Sequence, residues 1–153
     1  MKIRIYGGNK SQQKLARACS AYVLQEAFPL TQRKLNNSTL YVRFVNDVEE
    51  DYCGCAYTPA DNSYVATSYT IKINLAHLKD KEELVSTLMH ELVHVYQMAS
   101  RNVLRYTLDR KENRYLAFWK GKMYDPDKGY SKQPWERQAY YWESKLAKSF
   151  TER

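Results

Sequence analysis

Apolar positions recur along this chain in two rhythms. In "KIRIY", Ile3 and Ile5 alternate with basic residues, a period of two that predicts a short half-buried strand ending at Gly7-Gly8. From Ser11, read as a cap, to Phe28, the positions Leu15, Ala18, Cys19, Tyr22, Val23 and Ala27 keep helical spacing, and Pro29 closes the segment. "TLYVRFV", Thr39 to Val45, is β-branched and aromatic and predicts a second strand. After an acidic turn over Asn46 to Asp51 come "CGCAYTP" and "YVATSYTIKINL", separated by turn residues from Ala60 to Ser63. In the latter, Ile71, Ile73 and Leu75 oppose Lys72 and Asn74, which predicts a strand with one buried face.

The longest helix should open at Lys79 or Asp80 and run to about Ser100, with Glu82 and Glu83 in the first turn where the helix dipole favours acids. Leu84, Leu88, Leu92, Val95 and Ala99 read as its core face, with Met89 and Tyr96 as packing. The stretch from Arg101 to Arg114 is polar and basic and predicts a loop containing a helical turn. "YLAFWKGKMY" predicts a hairpin turning at Lys120-Gly121. "DPDKGYSKQP" is rich in turn residues, and Pro134 suits the first position of a final helix, "WERQAYYWESKLAKSF". No repeat or low-complexity tract intervenes. These elements predict one α+β domain over residues 1–153, a small twisted mixed sheet packed on the long helix with a helix near either end.

Composition changes this picture little. A hydrophobic content of 44% over 153 residues suffices for one core. No run of 18 apolar residues exists and "MKIRIYGGNK" lacks the features of a signal peptide, so a cytoplasmic protein without a membrane part is expected. Cys19, Cys53 and Cys55 are odd in number, and the last two are too close to bridge easily, so reduced thiols are expected. "YCGC" lacks the second element a structural zinc site would need.

Charge is unevenly spread. Lys and Arg exceed acids by eight to one over residues 1–46, trail by three to nine over 47–100, and lead by thirteen to seven over 101–153, which sums to the net +7. Basic ends of this kind serve solubility or attract nucleic acid.

"HELVH" places two of the three histidines, His90 and His94, four residues apart around Glu91. Random order of this composition gives about 0.004 such matches. On a helix both imidazoles reach one metal ion from the same face, and Glu91, rotated away, is placed to act as base on a water held there. Buried without a partner, such groups would be costly, and a zinc ion supplies that partner. Gln97, three beyond His94, either lines the cleft or is an exposed polar residue. A third ligand is sought among downstream carboxylates. Glu136 leads, in the first turn of the last helix with the small Ala139 three residues on; Glu143 follows, and His77 lies upstream.

"HELVHVYQ", followed by "FWKGKMY" and "QPWERQAYYWE", resembles the compact zinc metallopeptidases of the gluzincin type and is similar to small SprT-like and phage-encoded metallopeptidase-like proteins over residues 69 to 145. The resemblance implies a zincin-like fold, a peptide or protein substrate, zinc on His90, His94 and Glu136, and Glu91 as catalytic base. No histidine follows His94, where SprT-like proteases usually have one, and this favours the glutamate version. The resemblance further implies an edge strand above the zinc on which substrate lies, for which "SYTIKINL" is the candidate, and Tyr124, Tyr130 and Tyr140 are candidate oxyanion donors. A nucleic-acid-associated protein using the basic surfaces, or a zinc module without catalysis, are the other readings.

Overall fold

The computed structural model describes residues 1–58, 66–100, 103–127 and 133–153. Among the described residues, four α-helices and two small sheets make a mixed α+β architecture. Strand β1 (Lys2–Tyr6) leads into helix α1 (Lys10–Ala21). Its cap is Asn9 and not Ser11: the Asn9 side chain accepts the Gln12 N–H while the Gln12 side chain accepts the Asn9 N–H. That reciprocal pair satisfies two amides, and Ser11 has only Lys14 three residues on. The helix widens into a π-helical turn over Tyr22–Ala27, which delivers Phe28 onto Tyr96 (centroids 4.7 Å apart) and Trp142 (5.1 Å). A short helix not expected from the pattern, α2 (Gln32–Asn37), follows with Thr31 as its cap.

Strands β2 (Thr39–Val45), β3 (Gly54–Tyr57) and β4 (Ser68–Asn74) complete the first sheet in the order β1-β2-β4-β3. The first three in that order run parallel, with Ile5, Val42 and Ile71 in register, and β3 lies antiparallel at the edge. Strand β4 is therefore interior, hydrogen-bonded on both sides, and not the edge strand expected of "SYTIKINL". The edge position is an implication of the resemblance; the alternation itself predicts one buried face, and Asn74 on the opposite face is fully buried as well, tied to the Asp47 N–H and C=O through its side chain. Leu75 belongs to a single 3-10 turn, Leu75–His77, beyond the strand. The turn expected from Ala60 to Ser63 lies outside the described residues.

Helix α3 (Lys81–Ala99) starts at Asp80, whose side chain accepts the Glu83 N–H. Helix α1, α4 (Pro134–Thr151), β3, β4 and the second sheet all pack on it. Thirteen of its nineteen residues are buried, so it is a central helix and not an amphipathic surface one. Leu84, Leu88, Leu92, Val95 and Ala99 are all in the core, with Leu40, Val42, Ile71 and Ile73 from the sheet.

The second sheet is an antiparallel meander of β5 (Leu104–Asp109), β6 (Arg114–Trp119) and β7 (Lys122–Tyr124). Within the loop expected over 101–114, residues 104–109 are strand: Leu104, Tyr106 and Leu108 alternate with Arg105, Thr107 and Asp109, a period-two pattern that the charges obscure. The β6–β7 hairpin turns at Lys120 (φ 50°) and Gly121 (φ 85°), the left-handed pair that a two-residue turn requires. Among the described residues no helix is long and apolar enough to cross a membrane.

Candidate metal centre

One turn of α3 separates His90 from His94, and the start of α4 lies across both. Pro134 occupies the first turn of α4 and the Gln133 side chain donates to the Pro126 carbonyl at 2.6 Å, which holds the chain at the helix entry. Glu136 follows in that first turn. Ala139, fully buried one turn on, is small enough for α4 to lie close to α3.

The result is a compact donor triangle. Glu136 Oε2 lies 3.1 Å from His90 Nε2, Glu136 Oε1 lies 2.8 Å from His94 Nε2, and the two Nε2 atoms are 3.2 Å apart. All three side chains are buried. Ligands held at about 2.1 Å around a tetrahedral ion stand about 3.4 Å apart, so this spacing fits one small cation with slight expansion. The chemistry of the donors points the same way. Two imidazole lone pairs meeting at 3.2 Å beside a carboxylate repel unless a positive charge lies among them.

Each imidazole is oriented through its other nitrogen. His90 Nδ1 is 3.2 Å from Glu143 Oε2, and His94 Nδ1 donates to Gln97 Oε1 at 2.8 Å. With protons on Nδ1, both Nε2 atoms present lone pairs to the triangle. Burial pulls the His90 pKa down, but Glu136 and Glu143, with Glu91, outweigh it and push it up to about 10.

Glu91 lines the same cleft as the triangle. Burial raises its pKa, opposed by His94 and His90. No hydrogen bond joins its side chain to another described residue. Edge strand β3 passes beside it: a Cβ on Gly54 would lie 2.9 Å from Thr87 Cγ2, 3.1 Å from Glu91 Cγ and 3.3 Å from Glu91 Oε1. Glycine is what lets the strand come this close. A cleft of about 830 Å³ opens over these groups, walled by Tyr52, Cys53 and Cys55 on the β3 side and by Tyr106, Trp135 and Tyr140 opposite.

His90, His94 and Glu136 form a group that could hold a metal ion. Searches of protein-family models, curated proteins and solved structures give no match. The remaining candidates fall at different places. Glu143 touches His90 from outside the triangle. His77 is exposed and its ring donates to the Glu50 carbonyl, away from the cluster. Tyr140 lays its ring 4.7 Å from that of His90. Tyr124 packs on Trp135 at 6.0 Å and does not line the cleft, and Tyr130 lies outside the described residues. Gln97 is fully buried as a bridge between His94 and α4, neither of the two places expected of it. Sequence reasoning did not find Tyr106, hidden in the unexpected strand, or Gly54, whose closeness to Glu91 no local pattern encodes.

Proposed function

We propose that the chain is a zinc-dependent peptidase of the gluzincin type with a zincin-like fold. The reading is carried by one observation: two histidines and a glutamate from a second helix converge on one point, with the buried Glu91 carboxylate lining the same cleft. His90, His94 and Glu136 would hold the ion, and a set of two histidines and one glutamate leaves a position open for chemistry, as in catalytic zinc sites. Zinc in that place polarises a scissile carbonyl and lowers the pKa of a water bound beside it.

The chain's own residues do the rest. Glu91 takes the proton of the attacking water and later passes it to the leaving amine; its raised pKa brings it nearer to the range where a carboxylate can both accept and return a proton. Glu143 and Gln97 keep the imidazoles in the ligating tautomer. An extended peptide lies along β3, which among the described strands pairs on one side only, with β4, and borders the cleft. Recognition through backbone groups suits a peptide or protein substrate without fixing its side chains.

Metal analysis of the purified protein beside His94→Ala and Glu136→Ala tests the site. Stoichiometric zinc in the parent, lost in both variants, is expected; full zinc retention by Glu136→Ala would remove the triangle as the metal site. Glu143→Ala should weaken affinity about 10- to 100-fold without abolishing it. Glu91→Gln should keep zinc and lose peptide hydrolysis, and unchanged turnover would take Glu91 out of the mechanism.

A further inference from the structure

Helices α1 and α3 pack on one face of the four-stranded sheet, the face of Leu40, Val42, Ile71 and Ile73. Strand alternation and register define the other face. One row across it reads Tyr6, Arg43, Lys72, Cys55, and the next Arg4, Tyr41, Thr70, Tyr57. Tyr6 and Tyr57 are 46% and 41% exposed, and Arg4 and Arg43 are exposed beside them. The rings of Tyr6 and Tyr41 stack with centroids 6.4 Å apart and planes at 18°, and the Arg43 guanidinium sits 5.1 Å over Tyr6.

The four strands contain no Asp or Glu, although the chain has 17 acids. A solvated face ordinarily mixes both signs. Here cations and phenol rings interleave, spaced about 4.8 Å between strands and about 6.6 Å between alternate residues of one strand.

We propose that this open sheet face binds a single-stranded nucleic acid, bases stacking on Tyr6, Tyr41 and Tyr57 and phosphates meeting Arg4, Arg43 and Lys72. Unpaired bases present the flat π-faces that such rings take up, and the charge of a nucleic acid complements four strands that carry cations and no acid. A duplex keeps its bases stacked inside and offers only phosphates to this surface. The inference does not rest on the peptidase reading, since no residue of the metal cluster takes part.

The test is fluorescence anisotropy with short labelled oligothymidylate and oligouridylate, a duplex of equal length, and vesicles of anionic phospholipid, each over a salt series. Binding of the single strands above the duplex is expected. Tyr6→Ala and Tyr57→Ala, at exposed positions, should each weaken it about tenfold with unchanged thermal melting. Arg43→Ala and Lys72→Ala should each flatten the logarithmic salt slope by about 0.7. Lys148→Ala on α4 should leave binding unchanged, and Glu91→Gln should bind as the parent does whatever becomes of hydrolysis. Equal affinity for duplex and single strand, insensitivity to both tyrosine variants, or binding to vesicles alone would overturn the proposal.

Discussion

Gln97 holds His94 from the same helix and ties it to the next. Its Oε1 accepts the His94 Nδ1–H at 2.8 Å, while its Nε2 donates to the Trp135 carbonyl at 3.0 Å and to Gln138 Oε1 at 2.8 Å. One fully buried amide thus sets the tautomer of His94 and the position of the α4 turn that carries Glu136. Gln97→Leu would strand the ring N–H and leave Trp135 O without this donor, a cost of about 1–3 kcal/mol in urea denaturation. Zinc affinity, read by competition with a chromogenic chelator, should fall about 10- to 100-fold. Gln97→Glu keeps an acceptor for His94 but loses the donor towards α4, so affinity should suffer less than stability. A leucine variant with parental affinity would show that His94 needs no such support.

The reach of sequence reasoning follows from how local each feature is. His90 and His94 meet because helical periodicity puts residues four apart on one face, and this needs only α3 itself. Glu136 meets them across an interface between helices, which a ranking of acids can suggest but no local rule dictates. Asn74 looked solvent-facing because nothing in its neighbours announces that the loop after β2 would bond to its side chain. In β5, the charged Arg105 and Asp109 hid an alternation whose apolar half, Leu104, Tyr106 and Leu108, is plain once the strand is known. The basic face of the sheet was visible only as an excess of charge near the N-terminus until the register brought Arg4, Arg43 and Lys72 together.

Gly54 makes a sharper test of how β3 relates to Glu91. A methyl at this position meets Thr87 Cγ2 at 2.9 Å and Glu91 at 3.1–3.3 Å, so either the strand lifts or the carboxylate turns. Gly54→Ala should bind zinc as the parent does and hydrolyse peptide at least about tenfold more slowly, since small misplacement of a catalytic group is costly. Gly121→Ala serves as the control: its added Cβ meets nothing within 4 Å, though the left-handed φ of 85° strains it. That variant should lose about 1 kcal/mol of stability and no activity. Parental turnover by Gly54→Ala would mean that the approach of strand and helix has no bearing on Glu91.

Two tyrosines of the cleft are separable by their surroundings. Tyr140, 51% exposed, has its ring against His90, whereas Tyr106 is half-buried in β5 with a phenol pKa pushed up to about 12 by burial and by Glu136. Tyr140→Phe is expected to lower kcat about 100-fold with KM and zinc content little changed, the pattern of a donor used only in the transition state. Tyr106→Phe should act on stability more than on kcat. The reverse pattern would transfer the oxyanion role to Tyr106.

The three thiols differ in burial and therefore in reactivity. Cys53 is exposed, Cys55 is half-buried with a pKa raised by burial and by Glu91, and Cys19 is in the core, its pKa raised by burial from 9.0 to about 12. Because the thiolate is the reactive form, a disulfide reagent at neutral pH should modify Cys53 quickly, Cys55 slowly and Cys19 only after unfolding. Cys53→Ser should remove the fast phase. The same burial gives an alkaline limit of stability. Between 9.0 and about 12 the Cys19 thiol of the unfolded chain ionises while that of the folded chain stays protonated, so the unfolded state binds fewer protons and stability falls as pH rises. Tyr69 and Tyr106, raised from 10.0 to about 12 by burial, add to the loss at the upper part of that window. Urea denaturation of Cys19→Ala beside the parent isolates the thiol's share: the parent should lose more stability per pH unit above 9.0, and parallel curves would show that Cys19 ionises as readily in the folded chain as in the unfolded one.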